Sequence, residues 1–144
     1  MTNTGNRQPG ELPQKAEHAF SMATEKPRIL IVEDDVPIAM LMTSILTRAG
    51  IETEAATTGK KAFQMAADGH FALITLDLDL PDISGFEVCR RLKENPFFQT
   101  PVIFVSGRPT QENRQRGHEV GAVDFIAKPF RVEEFVRRLL FHIE

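Results

Sequence analysis

Five polar residues of the chain directly follow short apolar runs, and their types suit phosphoryl chemistry. Glu33 and Asp34 follow one run and Asp77 follows another, which makes three carboxylates candidates for one site. Ser106 follows a third run and Lys128 a fourth. A hydroxyl and an ammonium facing a carboxylate would form a cradle for a phosphoryl group, because its transfer depends mainly on positioning and charge neutralisation. Asp77 is the expected nucleophile, and an aspartyl-phosphate would be the product.

A divalent cation is expected beside these acids. Carboxylates a few ångströms apart repel one another, and a cation removes that penalty. An all-oxygen ligand set suits Mg²⁺, whereas Cys89 and the four scattered histidines offer no zinc site. We expect the side chains of Asp34 and Asp77 and the backbone carbonyl of Asp79 to bind the metal, with Glu33 binding directly or through water.

The apolar runs predict the strands that position these groups. Runs of this length, bounded by turn signals, are typical of strands buried on both faces. A fifth run, residues 51–56, alternates between polar and apolar residues, as an edge strand with one wet face does. The four buried strands are predicted at 28–32, 72–76, 102–105 and 123–127.

Helical patterns separate the predicted strands. The first helix covers 38–49 and ends at Gly50, and the second begins near Thr58. The third begins at Ser84, where Glu87 would complete a capping box. A polar fourth helix covers 110–120, and the fifth carries an apolar face from Val132 to Leu140. The order is (βα)₅, an α/β fold with a doubly wound parallel sheet, whose strands all deliver their carboxyl ends to one edge.

Composition indicates one soluble domain. Apolar residues make up 42% of the chain and charged residues 26%, and the net charge of −3 gives nucleic acid no electrostatic attraction. No apolar run is long enough to cross a membrane. The single Cys89 suits a reducing compartment, so a cytoplasmic location is predicted. Residues 1–26 are expected to be a flexible tail and residues 27–144 the folded domain, with no room for a DNA-binding or catalytic output domain.

Several short blocks resemble the signature of response-regulator receiver domains, and the similarity covers residues 28–143. The resemblance implies strand order 2-1-3-4-5 in a flavodoxin-like three-layer sandwich. It implies phosphorylation of Asp77 by a histidine kinase or a histidine phosphotransfer protein, followed by control of a downstream protein or onward relay of phosphate. Such a domain is not a separate enzyme. The blocks are Glu33-Asp34, Asp77-Leu78-Asp79-Leu80-Pro81 with Gly85, Val105-Ser106-Gly107 and Lys128-Pro129-Phe130.

The resemblance also implies a conformational switch. In the family the hydroxyl at the position of Ser106 moves toward the phosphoryl oxygens, and the aromatic ring at the position of Phe125 turns inward. A cis Lys128–Pro129 peptide is expected as well. Asp79 and Arg108 lie two residues after Asp77 and Ser106, and our hypothesis is that their contact controls access of water to the phosphoryl group. A phosphorylation-dependent homodimer, or a dimer that works without phosphate, is left open.

These residues also admit other interpretations. The motif Asp77-Leu78-Asp79 is similar to that of haloacid dehalogenase-type phosphatases, which place it after their first strand; this enzyme is the alternative function. Asp35, with Pro37 in the first turn, is predicted to cap the first helix rather than to bind metal. Cys89 is expected in the core. Four arginines are predicted to form solvated helix faces: Arg114, Arg116, Arg137 and Arg138.

Overall fold

The computed structural model describes residues 26–143, which form five strands that alternate with five helices. The predicted tail, apart from Lys26, lies outside the described residues. The strands are β1 (Arg28–Val32), β2 (Glu52–Ala56), β3 (Leu73–Leu76), β4 (Val102–Ser106) and β5 (Asp124–Ala127). The helices are α1 (Val36–Arg48), α2 (Gly59–Asp68), α3 (Gly85–Lys93), α4 (Gln111–Glu119) and α5 (Val132–Ile143).

All neighbouring strands pair in parallel, in the order β2-β1-β3-β4-β5, which confirms the predicted sheet. β2 is an edge strand, and most of its residues are at least partly exposed. β1 and β3 lie side by side at the centre, with Val32 opposite Leu76. Because these two residues end their strands, the chain that follows each of them emerges at the same edge of the sheet.

The alternation of side chains in the central strands divides the core into two layers. Ile29 and Ile31 face one layer, which is closed by buried residues of α1 and α5 such as Met42 and Phe135. Leu30 and Val32 face the other, with apolar residues of α2 and α3. This period of two places a helical layer on each side of the sheet, the predicted three-layer arrangement.

The helix ends follow the predicted capping residues, with one correction. Asp35 caps α1 by accepting the Ile38 amide at 3.2 Å, and Gly50 and Gly121 have positive φ values of 83° and 104° after α1 and α4. Ser84 accepts the Glu87 amide at 3.2 Å, but the Glu87 carboxylate binds Arg90 and Arg91 instead of returning to the cap. Only half of the capping box therefore forms. Within residues 26–143, no helix combines the length and apolarity that a membrane crossing requires.

Candidate functional site

Three carboxylates converge at the carboxyl ends of β1 and β3. One oxygen from each of Glu33, Asp34 and Asp77 lies within 4.8 Å of the others. The backbone holds two of these residues in place, because the Asp77 amide donates to Val32 at 3.0 Å and the Glu33 amide donates to Ala56 at 2.9 Å. Glu33 and Asp77 are buried and Asp34 is exposed, so the cluster is open to solvent on one side.

Lys128, just after β5, neutralises part of this charge. Its Nζ lies 2.9 Å from Oε1 of Glu33 and 3.6 Å from Oδ2 of Asp77. Burial raises the pKa of Glu33 to about 7, with the bond from Lys128 acting against the rise and the charge of Asp77 adding to it. Burial also acts to lower the pKa of Lys128, but the bond to Glu33 and the charge of Asp77 outweigh it and raise that pKa. The ammonium is therefore fully charged at neutral pH.

The metal prediction can be tested against the chemistry of this cluster. The three side chains offer only carboxylate oxygens, the donors that Mg²⁺ prefers, and among residues 26–143 no histidine or cysteine joins the group. Two of the three acids are buried with a single lysine beside them, which leaves excess negative charge for a cation to balance. The residues present therefore fit Mg²⁺.

Ser106 ends β4, the strand next to β3, and Phe125 lies on β5 at the edge of the sheet. Ser106 is fully buried at the end of β4, and its Oγ accepts the Arg108 amide at 3.0 Å. Phe125 is only 6% exposed, with its ring 6.1 Å from that of Phe104 and beneath the guanidinium of Arg114 at 5.2 Å. The aromatic side chain thus lies in its inward position. The Lys128–Pro129 peptide that follows is cis, as the resemblance implied.

Asp79 and Arg108 meet at the rim of the site. The guanidinium of Arg108 donates from Nη2 to Oδ1 of Asp79 at 2.7 Å and from Nε to Oδ2 at 3.1 Å. The expected contact is present, and both side chains are more than half exposed. The Asp79 carboxylate is engaged in this pair, and metal binding through the Asp79 backbone carbonyl, which stays a prediction, would leave the pair undisturbed.

A cavity of about 510 Å³ opens beside the acids, between them and α1. Its polar floor includes Asp77, Asp79 and Lys128, and its apolar wall comes from Ile38, Leu41 and Phe130. The wall residues were not predicted as part of the site, because their apolar character is equally typical of the core. Phe130 belongs to the Lys128-Pro129-Phe130 block of the sequence, but no role in the site was assigned to it.

The structure corrects the prediction for one of the four arginines, Arg138. Arg138 pairs with Asp124 and Glu134 and donates to the Phe125 carbonyl at 3.2 Å, so it is not a solvated surface residue. Arg114, Arg116 and Arg137 are exposed, as predicted. Arg114 and Arg116 also lie over the rings of Phe125 on β5 and Phe86 on α3, contacts of which spacing within α4 gives no sign. Cys89 is buried in the core as predicted, and burial raises the pKa of its thiol to about 11.

Comparison with known proteins places this arrangement in context. A family model described as the response regulator receiver domain matches residues 29–140. The transcriptional regulatory protein SrrA of Staphylococcus aureus is 39% identical over 111 residues, which are 77% of this chain and 45% of SrrA. The chain therefore spans less than half the length of the curated relatives that it matches.

Solved structures with this fold agree. A CheY-like response regulator receiver domain protein from Methanospirillum hungatei is 29% identical, with a TM-score of 0.76 over 83% of this chain and 94% of that one. The non-phosphorylated HemR receiver domain of Leptospira biflexa is 36% identical, with a TM-score of 0.74 over 83% of this chain and 95% of that one.

Proposed function

The chain belongs to the response regulator receiver domain family, and from this premise we propose that Asp77 accepts a phosphoryl group from a phosphohistidine donor in the presence of Mg²⁺. The observation that carries the proposal is the convergence of Glu33, Asp34, Asp77 and Lys128 from three strand ends. Family membership favours this switch over the phosphatase alternative. The Asp77-Leu78-Asp79 motif also follows β3 rather than the first strand.

The proposed reaction is a transfer from nitrogen to oxygen. A carboxylate oxygen of Asp77 attacks phosphorus, the N–P bond of the phosphohistidine breaks, and the imidazole leaves with the bonding electrons and takes up a proton. The attacking oxygen must be free of competing bonds. One Asp77 oxygen accepts the Asp79 amide at 3.4 Å and the other faces Lys128 at 3.6 Å, so both interactions are weak and leave the nucleophile available.

Lys128 and Mg²⁺ would divide the task of neutralising charge. Bound by Glu33, Asp34, Asp77 and the Asp79 carbonyl, Mg²⁺ would supply the positive charge that draws the phosphoryl oxygens toward Asp77. Lys128 would move from its bond with Glu33 toward a phosphoryl oxygen, since the two carboxylates lie at 2.9 Å and 3.6 Å from the same Nζ. The Ser106 hydroxyl, whose oxygen accepts the Arg108 amide, would donate its own proton in a hydrogen bond to a phosphoryl oxygen, and Phe125 would respond to its movement.

The partners and location follow from this role. We propose a histidine kinase or histidine phosphotransfer protein as donor, a downstream protein as target, and a cytoplasmic setting. The predicted absence of nucleic-acid binding stays a prediction, because the relative SrrA is named a transcriptional regulatory protein. A phosphorylation-dependent homodimer stays a prediction as well.

The nucleophile can be tested with phosphoramidate, a small donor that contains the same P–N bond. With Mg²⁺ the wild-type chain is expected to gain one phosphoryl mass that hydroxylamine removes, as it removes acyl phosphates. Asp77→Asn is expected to gain none. Asp68→Asn, which changes an exposed acid at the end of α2, is the control and should label normally. Labelling of Asp77→Asn at the wild-type rate would refute the assignment.

The role proposed for the rim pair can be tested by the lifetime of the phosphoryl group. Arg108→Ala and Asp79→Ala each break the pair, so each is expected to change the rate of hydrolysis after excess donor is removed. The double variant should resemble the single variants, because both remove one interaction. Lifetimes equal to the wild-type value in both single variants would exclude control of water access by this contact.

A further inference from the structure

The loop between β3 and α3 carries Asp79 and begins directly after Asp77. Bonds within the loop fix its shape: the Gly85 amide donates to the Leu78 carbonyl at 2.8 Å, and Asp79 forms an antiparallel bridge with Ser84. These bonds do not determine where the loop lies relative to the rest of the site. A contact with a different element is needed for that.

Asp82, at the apex of this loop, makes such a contact. Its Oδ1 accepts the Gly59 amide at 2.8 Å and its Oδ2 accepts the Lys60 amide at 2.9 Å. These are the first two residues of α2, whose amides have no partner within the helix. The helix's own cap, Thr58, accepts only the Lys61 amide, at 3.0 Å. Asp82 thus bridges two segments more than twenty residues apart.

Packing at Gly59 is a second, independent sign of a built contact. A Cβ atom at this position would lie 2.7 Å from Cγ1 of Ile83 and 2.9 Å from Cγ2 of Val88. Such distances are too short for real Cβ atoms, so the loop approaches α2 as closely as glycine allows. The carboxylate of Asp82 and the side chain of Ile83 therefore fix the loop on the same helical turn.

The start of α2 is itself joined to the acid cluster. Ala56, which ends β2, accepts the Glu33 amide at 2.9 Å, and only two residues separate Ala56 from α2. Glu33 is thus bonded to Ala56, which leads into the first turn of α2, and that turn is bonded to Asp82 in the loop after Asp77. The two sides of the acid cluster, Glu33 just after β1 and the β3–α3 loop, thus share one support.

We propose that Asp82 is a positioning residue for the phosphorylation site, which holds the β3–α3 loop against the first turn of α2. The proposal rests on the proposed function, because it assigns to Asp82 the placement of a loop that takes part in Mg²⁺ binding and phosphorylation. Asp82 contacts no reacting group and acts only through Asp77 and Asp79.

The test compares Asp82→Ala with Thr58→Ala. Both variants remove side-chain acceptors from the first turn of α2, so both are expected to lower the melting temperature. Only Asp82→Ala also releases the loop. Asp82→Asn keeps one acceptor oxygen and should give intermediate values. The first readout is hydrogen exchange of residues 78–84 in metal-free buffer, and the second is the Mg²⁺ dissociation constant by calorimetry at a temperature where all variants are folded.

Asp82→Ala is expected to speed exchange in the loop and to raise the Mg²⁺ dissociation constant roughly tenfold, the lower end of the effect of losing a group that orients metal ligands. Thr58→Ala is expected to leave both values near those of the wild type. Equal effects of the two variants on both readouts, or no effect of Asp82→Ala, would overturn the proposal. Absence of Mg²⁺ binding by the wild type would refute the proposed function instead, and loop exchange would still decide whether Asp82 anchors the loop.

Discussion

Replacement of Gly85 by alanine tests whether the backbone around Asp77 tolerates displacement. Gly85 is the first residue of α3, and a Cβ atom added there would lie 2.2 Å from the Asp77 carbonyl oxygen and 3.0 Å from the Leu78 Cα. Because real Cβ atoms essentially never approach within 3.0 Å, the backbone must separate by at least about 0.8 Å. The atom in the way belongs to the residue that carries the nucleophile.

Two opposing effects set the expected stability of Gly85→Ala. Overpacking against backbone costs about 3 kcal/mol, the upper end of its usual range, because no flexible side chain can yield. Alanine is better than glycine in a helix by up to about 1 kcal/mol. A net loss of about 2 kcal/mol is therefore expected, which leaves a domain of ordinary stability folded. A displacement approaching 1 Å at the nucleophile is expected to slow phosphorylation about a hundredfold.

The measurements are urea unfolding followed by circular dichroism and the rate of phosphoryl uptake from phosphoramidate. Gly107→Ala is the matched control, since a Cβ atom at Gly107 meets nothing within 4 Å although Gly107 lines the same cavity. Its free energy of unfolding should stay within about 0.5 kcal/mol of the wild-type value. Wild-type stability and uptake in Gly85→Ala would refute the argument from close packing.

Three further predictions concern groups around the site and in the core. Because the pKa of Glu33 is raised, the folded state holds the Glu33 proton more tightly than the unfolded state does. In metal-free buffer the free energy of unfolding should therefore fall by about 3 kcal/mol as pH rises from 4.5 to about 7. Glu33→Gln should remove this pH dependence, which urea unfolding midpoints across that range would check. Arg138→Ala leaves the partly buried Asp124 without its guanidinium partner and should lower the unfolding free energy by about 1 kcal/mol. The thiol of Cys89 should resist disulfide reagents until the protein unfolds, because it is buried and its pKa is about 11; rapid labelling of the native protein would contradict its placement.

The alternation of strands and helices and the acid cluster could be predicted because both depend on local patterns, whereas the strand order came from the family resemblance. Each buried strand appears in the sequence as an apolar run, and parallel strands deliver their final residues to one edge. Asp77 and Lys128 could therefore be brought together without knowledge of any contact. Asp82 could not be assigned in this way, because its partners at Gly59 and Lys60 are backbone amides, which leave no mark in the sequence.

The contacts of Phe125 show what spacing along a helix cannot predict and suggest which helix responds to a switch. The Phe125 amide donates to Asp124 at 2.8 Å, and its carbonyl accepts Arg138 of α5 at 3.2 Å. Arg114 of α4 donates to the same carbonyl at 3.4 Å and, unlike Arg138, also lies over the ring of Phe125. Rotation of the ring would break the stacking contact with Arg114 and leave the backbone bonds to Arg114 and Arg138 intact. A rotation of Phe125 away from its inward position would therefore alter the packing of α4 directly, whereas α5 can remain in place.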